Sequence, residues 1–445
     1  VVNVVIVGGG AAGMSTASRA RKINPDAEIT VFEKSGFVSY APCGIPYYVE
    51  HLVDKPEKLQ TYTPEFFKKE RNIDMHIHSN IENIDPNSKT IEYVQNGTSN
   101  SLSWDKLVIA SGAEPIKPRI DGIGLTNIFT VKFIEDGIRI RNAAANARNV
   151  VIVGGGYIGV EMAEAFVQIG KKVTIVEMLP HVLANLDPEM SKIIEDEFLE
   201  KGVSLRLGEK VVEFAGKDRV RKVVTDKGEY DADLVILAVG FKPRIDLARK
   251  TGIKLGVTGA IETRETMETN IEDVYACGDC AETIHLITGM KTWIPLGPTA
   301  NKMGYIAGTN VFGEKHKFPG ILGTAFIKAF DLQIARTGLT EAEAKNRGIQ
   351  PAAAFIKAPT RAHYYPGNDE ITLKIVSEKS TGRLLGAQCI GREGAVERIN
   401  VFAALLYMNA KITDMFFTDF GYAPPFAPVW DPLVVASRVL GSIFG

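Results

Sequence analysis

Four aliphatic residues, Val4-Val5-Ile6-Val7, lead into Gly8-Gly9-Gly10-Ala11-Ala12-Gly13, and the pattern returns at Val150-Val151-Ile152-Val153 followed by Gly154-Gly155-Gly156-Tyr157-Ile158-Gly159. A short apolar run ending at glycine predicts a strand buried on both faces. After each glycine cluster the apolar spacing changes to that of a helix, over residues 14–23 and 160–169. A second apolar run then ends in an acid, Ile29-Thr30-Val31-Phe32-Glu33 in the first copy and Val173-Thr174-Ile175-Val176-Glu177 in the second. Strand, G-x-G-x-x-G turn, helix, strand and acid in register make a dinucleotide-binding unit. Its first glycine (Gly8, Gly154) permits the tight turn, the second (Gly10, Gly156) lets backbone approach a pyrophosphate, and the third (Gly13, Gly159) lets the helix lie close on the strand. Ala11, and Tyr157 with Ile158, fill the variable positions at the helix start, where backbone amides face phosphate. Glu33 and Glu177 are placed to hold a ribose diol.

Two further apolar runs echo each other. Residues 107–113 pass Ala110 and Gly112 before Pro115, and residues 234–240 end at Gly240 before Pro243; each closes one unit beside its cofactor and marks a crossing between domains. Asp273-Val274-Tyr275-Ala276 then runs into Cys277-Gly278-Asp279, which sets an acid at the end of a buried strand long after the second unit is complete. The economical arrangement is an interrupted first domain. Residues 1–115 and 245–320 form one dinucleotide-binding domain, residues 116–244 a second inserted within it, and residues 321–445 a separate C-terminal α+β module. The expected fold class is α/β, two Rossmann-like domains followed by that module.

The 445 residues, 45% of them hydrophobic, suffice for about three domains with full cores. Charges nearly cancel, 51 Lys plus Arg against 53 Asp plus Glu, so no nucleic acid partner is expected. No window approaches the roughly 18 uninterrupted apolar residues of a membrane helix. Even the apolar stretch 426–445 is broken by Asp431, Pro432 and Arg438, so no membrane partner is expected either. The first residues show no secretory leader pattern, and four cysteines are too few to staple so long a chain, which reads as a reducing, cytoplasmic setting.

Two dinucleotide sites in one chain imply a relay in which one cofactor stays and the other exchanges. The natural pair is a flavin with a nicotinamide, here FAD and NAD(P)H. Glu177 suits the free 2′-hydroxyl of NADH and repels a 2′-phosphate, so NADH is favoured. With both fingerprints, the Gly278-Asp279 strand end and the interrupted order, the whole chain resembles the flavoprotein disulfide reductases, FAD-dependent pyridine nucleotide-disulfide oxidoreductases. The resemblance implies that the first fingerprint holds the adenylate end of FAD, Asp279 its ribitol chain, and the second fingerprint NAD(P)H.

Cysteine spacing narrows the chemistry. Two-cysteine members of that family carry a redox pair four residues apart, whereas Ser39-Tyr40-Ala41-Pro42-Cys43-Gly44-Ile45-Pro46-Tyr47-Tyr48 holds one cysteine and the next is Cys277. This resembles the single-cysteine branch of coenzyme A disulfide reductases, NADH oxidases and peroxidases, and persulfide or polysulfide reductases. Cys43 reads as a thiolate nucleophile, favoured by the dipole of a helix that Gly44-Ile45-Pro46 would begin. Cys277 and Cys280 have C-x-x-C spacing, but they lie in the flavin strand and turn and lack the second pair a metal site needs, so they read as structural and no metal is expected. Cys389 reads as a buried strand residue.

Oxidases and peroxidases of the branch carry a histidine in the first glycine turn, where this chain has Ala11. His363-Tyr364-Tyr365-Pro366 and Phe420-Gly421-Tyr422-Ala423 resemble the tyrosine segments of coenzyme A disulfide reductases, whose hydroxyls reach the cysteine of the other subunit. The resemblance thus implies a homodimer with catalytic roles for Tyr364 and Tyr422, and places Ser39, Arg19, Lys22 and Asn301 at the substrate. The expected activity is NAD(P)H-dependent reduction of CoA disulfide, CoA persulfide or polysulfide through a mixed disulfide of Cys43, with CoA as small-molecule substrate or covalent adduct. The alternatives are an NADH oxidase or peroxidase cycling Cys43 through a sulfenic acid, and a flavoprotein that reduces a carrier protein or senses NADH.

Overall fold

The computed structural model describes residues 1–441. The chain divides into two compact units, one made of Val1–Ile116, Val131–Asn142 and Gly240–Ile321, the other of Lys117–Thr130, Ala143–Val239 and the chain from Leu322 onward.

In the first unit a parallel five-stranded sheet runs in the order Val274–Ala276, Lys106–Ile109, Asn3–Val7, Glu28–Phe32, Asp74–His76. Parallel pairing buries both faces, and Val5, Ile6, Leu107, Val108 and Ile109 accordingly have no exposed surface. The returning segment supplies the edge strand Val274–Ala276, so both parts of the interrupted first domain share one sheet. Helices Ala11–Ile23 and Gly297–Asn310 meet backbone to backbone: a Cβ at Gly304 would lie 2.2 Å from the carbonyl oxygen of Ala12, and one at Gly308 2.4 Å from that of Thr16. An antiparallel sheet of Ser79–Asp85, Thr90–Gln95 and Thr98–Ser103 completes the unit. Residues 131–142 join it through side-chain packing. A Cβ at Gly137 would stand 3.0 Å from Ile45, and Arg141 donates to the carbonyls of Tyr48, Val53 and Asp54.

The second unit repeats the parallel arrangement, Ser204–Leu207, Lys172–Glu177, Asn149–Val153, Leu234–Leu237, Ile128–Thr130. It continues into a five-stranded antiparallel sheet, in order Ala325–Ala329, Leu332–Gly338, Leu384–Gly391, Glu370–Glu378, Pro351–Pro359, with helices Ala395–Tyr407 and Pro432–Gly441. A buried lysine ties the antiparallel sheet to the start of the helix Pro188–Glu200. Lys374, on the strand Glu370–Glu378, meets Asp187 at 3.0 Å, Glu189 at 2.5 Å and Glu341 at 2.9 Å.

Candidate active site

Both fingerprint helices begin inside their glycine turns, at Ala11 and Tyr157, three residues ahead of the apolar spacing, because the third glycine is itself helical. A Cβ on Gly13 would fall 1.8 Å from the carbonyl oxygen of Gly8, and one on Gly159 2.0 Å from that of Gly154. Gly8 and Gly154 adopt φ of +113° and +108°, a region that only glycine enters without strain. At Gly10 and Gly156 the opposite holds: nothing stands within 4 Å of a Cβ. Each turn is therefore packed at its first and third glycines and open at its second, the shape that a pyrophosphate at a helix N-terminus requires. Glu33 accepts from the backbone N–H groups of Gly9 and Ser35, both at 2.8 Å. Glu177 does the same with Gly155 at 2.5 Å and Leu179 at 2.8 Å. Each carboxylate is locked by two amides and keeps lone pairs for a ribose diol. The residues present thus fit two dinucleotides.

On the first unit's sheet Ala110 is buried, and Gly112 turns through φ of +73° into open space. Gly240 lies in the antiparallel crossing of Ala113–Pro115 with Phe241–Pro243, where its carbonyl accepts from Ile116 at 3.0 Å. Asp279 follows the strand Val274–Ala276, and burial pushes its carboxyl up. Lys132 Nζ stands 4.0 Å from Asp279 Oδ2. Burial pushes the Lys132 amine down against the fields of Asp279, Cys43 and Glu33, which favour its charge. Asp136 fixes the lysine's backbone by accepting from the N–H groups of Lys132 and Phe133 at 3.0 and 2.9 Å. Nearby, Glu135 Oε1 accepts from Gly36 N, while its buried Oε2 has no hydrogen-bond partner. On the second unit, burial and the neighbouring Glu164 push Glu161 up to about 7. Lys132 carries no sequence signal, because Asp279 and Cys43 reach it from distant segments, whereas Glu161 has Glu164 three residues on in the same helix, a like-charge spacing that could have marked it.

Cys43 is exposed, on the single 3-10 turn Pro42–Gly44. The expected helix follows at once, Ile45–Val49. It is only five residues long, so its dipole is weak; the Cys43 and Lys132 charges also attract each other. Ser39, at φ of +49°, ties this loop to the first glycine turn, its N–H donating to the Gly9 carbonyl at 2.8 Å. The remaining cysteines are fully buried, burial pushing Cys277 and Cys389 up to about 12. Cys280 Sγ donates to the carbonyls of Ile109 and Cys277, and Cys277 Sγ lies 3.6 Å from Thr16 Oγ1, so the C-x-x-C pair is built into the sheet.

Of the basic residues after the first turn, Lys22 is exposed. Arg19 lies 4.3 Å over the Tyr305 ring and donates to Thr309 at 2.9 Å. Arg21 is a structural brace, donating to the carbonyls of Pro25, Ala27, Arg71 and Asn72. Asn301 is exposed at the start of Gly297–Asn310, and its carbonyl accepts from Ser15 at 2.8 Å. In the second unit Tyr364 and Tyr422 come together from segments 58 residues apart, their hydroxyls 3.4 Å from each other. The bond to Tyr364 pushes the Tyr422 phenol up. Both rings are open to solvent, at 65% and 47%.

A sequence profile of pyridine nucleotide-disulphide oxidoreductases matches residues 2–304, and one of that family's dimerisation domain matches residues 324–433. The chain belongs to this family. Its members use FAD and NAD(P)H, which agrees with the two glycine turns. The chain is 52% identical to the "NAD(P)H sulfur oxidoreductase (CoA-dependent)" of Pyrococcus abyssi over 440 residues, 98% of each chain. It is 39% identical to an "NADH oxidase" of Methanocaldococcus jannaschii, again over 98% of each. Among solved structures it is similar to a NAD-dependent persulfide reductase from A. fulgidus, with a TM-score of 0.96 and 40% identity over 98% of this chain and 82% of that one.

Proposed function

We propose that this oxidoreductase uses NAD(P)H to reduce CoA disulfide, CoA persulfide or polysulfide through Cys43. The observation that carries the reading is the contrast among its thiols: Cys43 alone is exposed, on the loop tied to the first glycine turn, while Cys277, Cys280 and Cys389 are buried. The first glycine turn with Glu33 and Asp279 would hold FAD, and the second with Glu177 would hold NAD(P)H, NADH preferred. When bound, FAD supplies a two-electron carrier between nicotinamide and sulfur.

The chain's own residues do the rest. The Lys132 cation favours the Cys43 thiolate. Thiolate attack on one sulfur of CoA disulfide forms the Cys43–CoA bond and breaks the S–S bond, and one CoA thiolate leaves. That leaving group needs a proton, which the paired hydroxyls of Tyr364 and Tyr422 are built to hold. Two-electron reduction of the mixed disulfide then releases the second CoA thiolate and restores the Cys43 thiolate. We assign the tyrosine pair to Cys43 of a partner copy in a homodimer, a reading supported by the dimerisation-domain match. Absence of disulfides among the described cysteines accords with a cytoplasmic setting.

The test is mass spectrometry of the purified, unreduced protein together with NADH turnover on CoA disulfide and CoA persulfide. A CoA-mass adduct on the Cys43 peptide and acceptor-dependent turnover are expected. The similarity to an NADH oxidase favours a second reading, oxygen or peroxide reduction through a sulfenic acid at Cys43. That reading prevails if Cys43 carries a sulfenate and no CoA, and NADH oxidation needs oxygen alone.

A further inference from the structure

The segments that carry Tyr364 and Tyr422 have little core packing to hold them. Residues 363–368 are exposed throughout, as are Gly421 and Tyr422. Between the two segments lies a cavity of about 340 Å³, walled by Thr360 and Arg361 of the first and by Phe420, Pro425 and Phe426 of the second. Near the tyrosines the segments meet through one backbone bond, from Ala362 N to the Pro424 carbonyl at 3.2 Å, and through the hydroxyls themselves. On the far side of the cavity stands Arg398, on the first turn of the helix Ala395–Tyr407, with its side chain only 8% exposed. Its Nε and one terminal nitrogen lie 3.2 and 3.1 Å from Asp431 Oδ2. That terminal nitrogen also donates to the Thr360 carbonyl at 3.4 Å, and the other to the Gly394 carbonyl at 2.9 Å. Asp431 Oδ1 accepts from Leu433 N at 2.9 Å, at the start of the helix Pro432–Gly441. One guanidinium therefore grips the first segment just before Tyr364 and the second where it enters its helix.

We propose that Arg398 and Asp431 are positioning residues for the sulfur half of the reaction, a buried clamp that sets where the Tyr364 and Tyr422 hydroxyls meet. This rests on the reading that the tyrosine pair serves the departing CoA thiolate. Burying two charges costs about as much in lost hydration as their attraction returns, so such a pair is a poor source of stability. What a planar guanidinium held at both ends supplies is fixed geometry. Geometry is what two exposed loops separated by a cavity lack, and a proton donor misplaced by about 1 Å loses much of its effect.

The experiment uses the full-length FAD-loaded enzyme with NADH as donor, once with CoA disulfide and once with ferricyanide, an acceptor that needs neither thiolate nor phenol. Arg398→Met is expected to lower kcat on CoA disulfide about tenfold, with KM for CoA disulfide and the ferricyanide rate within about twofold of wild type. Added to the Tyr364→Phe, Tyr422→Phe double variant, it costs nothing further. In Arg398→Ala, methylguanidinium entering from the adjoining cavity restores part of the lost kcat. Asp431→Asn keeps the shape of the pair and folds even where Arg398→Met does not; it should lower kcat on CoA disulfide about threefold, the effect of one weakened hydrogen bond. If the double tyrosine variant is slow while Arg398→Met and Asp431→Asn are not, or if the losses multiply, the clamp is wrong and the tyrosine reading stands. An equal loss with ferricyanide makes the pair merely structural and also overturns the proposal. If the double tyrosine variant keeps the wild-type kcat, the tyrosines have no part in the chemistry and the proposal falls with them.

Discussion

Gly156→Ala should separate binding from folding at the nicotinamide turn. A methyl at Gly156 meets nothing within 4 Å, and the residue's φ of −77° suits alanine. The cost to the folded protein is then only that of alanine at a helix N-cap, about 0.5–1 kcal/mol. The same methyl enters the space where backbone amides meet pyrophosphate. Losing one charge-assisted hydrogen bond there costs about 2 kcal/mol, or roughly 30-fold in kcat/KM for NADH. Gly159→Ala is the control, because its methyl would fall 2.0 Å from the Gly154 carbonyl oxygen and must push helix from strand. Overpacking of that kind costs about 3 kcal/mol. Flavin absorbance, thermal melting and steady-state NADH kinetics read the three quantities. Gly156→Ala should keep its FAD and its melting temperature within a few degrees yet lose NADH, whereas Gly159→Ala should melt early. A Gly156→Ala enzyme with wild-type KM for NADH would refute the pyrophosphate assignment, and a Gly159→Ala enzyme of wild-type stability would refute the packing argument.

Cys43→Ser should retain FAD and lose disulfide reduction, and iodoacetamide at neutral pH should label Cys43 alone in the native protein, since Cys277 and Cys389 are pushed up to about 12; peptide mapping checks both. Lys132→Met removes a cation that favours the Cys43 thiolate, so a pH titration of thiolate absorbance at about 240 nm should show the Cys43 step at higher pH, and a step at unchanged pH would sink the assigned role. Lys374 helps to hold Asp187 below its ordinary carboxylate range, and Lys345 first and Lys374 second do the same for Glu341, so the Lys374 contribution is present above about pH 4.5 and lost as pH falls through the depressed values. Lys374→Met should therefore cost about 3–5 kcal/mol at neutral pH and flatten the acid side of the stability profile, as denaturant melts from pH 3 to 7 would show. Co-expressing Cys43→Ser with the Tyr364→Phe, Tyr422→Phe double variant should restore activity in verified hybrid dimers that neither parent shows; absence of rescue would mean that the tyrosines act within their own chain.

Much of this protein was legible locally. The two glycine turns, their terminal acids and the aliphatic strands are short contiguous patterns, because a parallel strand buried on both faces must be apolar throughout and a phosphate turn must have glycine at fixed offsets. Cys43 stood out for a similar reason, a single cysteine in a recognisable run of neighbours. What the sequence left open are contacts between segments far apart along the chain. Lys132 comes beside Asp279, and into the field of Cys43, because residues 131–142 pack into the first unit, with Gly137 against Ile45 and Arg141 bonded to Tyr48, Val53 and Asp54. Cys277 and Cys280 share their spacing with redox pairs; their place in the flavin strand argues for a structural role, and the structure shows both thiols fully buried. Tyr364 meets Tyr422 across 58 residues, and Arg336 reaches Asn185 across 151. Local sequence specifies which backbone shapes are allowed at low cost, whereas the field and hydrogen-bond partners of a side chain come from whatever the packed sheets bring beside it, which tertiary structure alone decides.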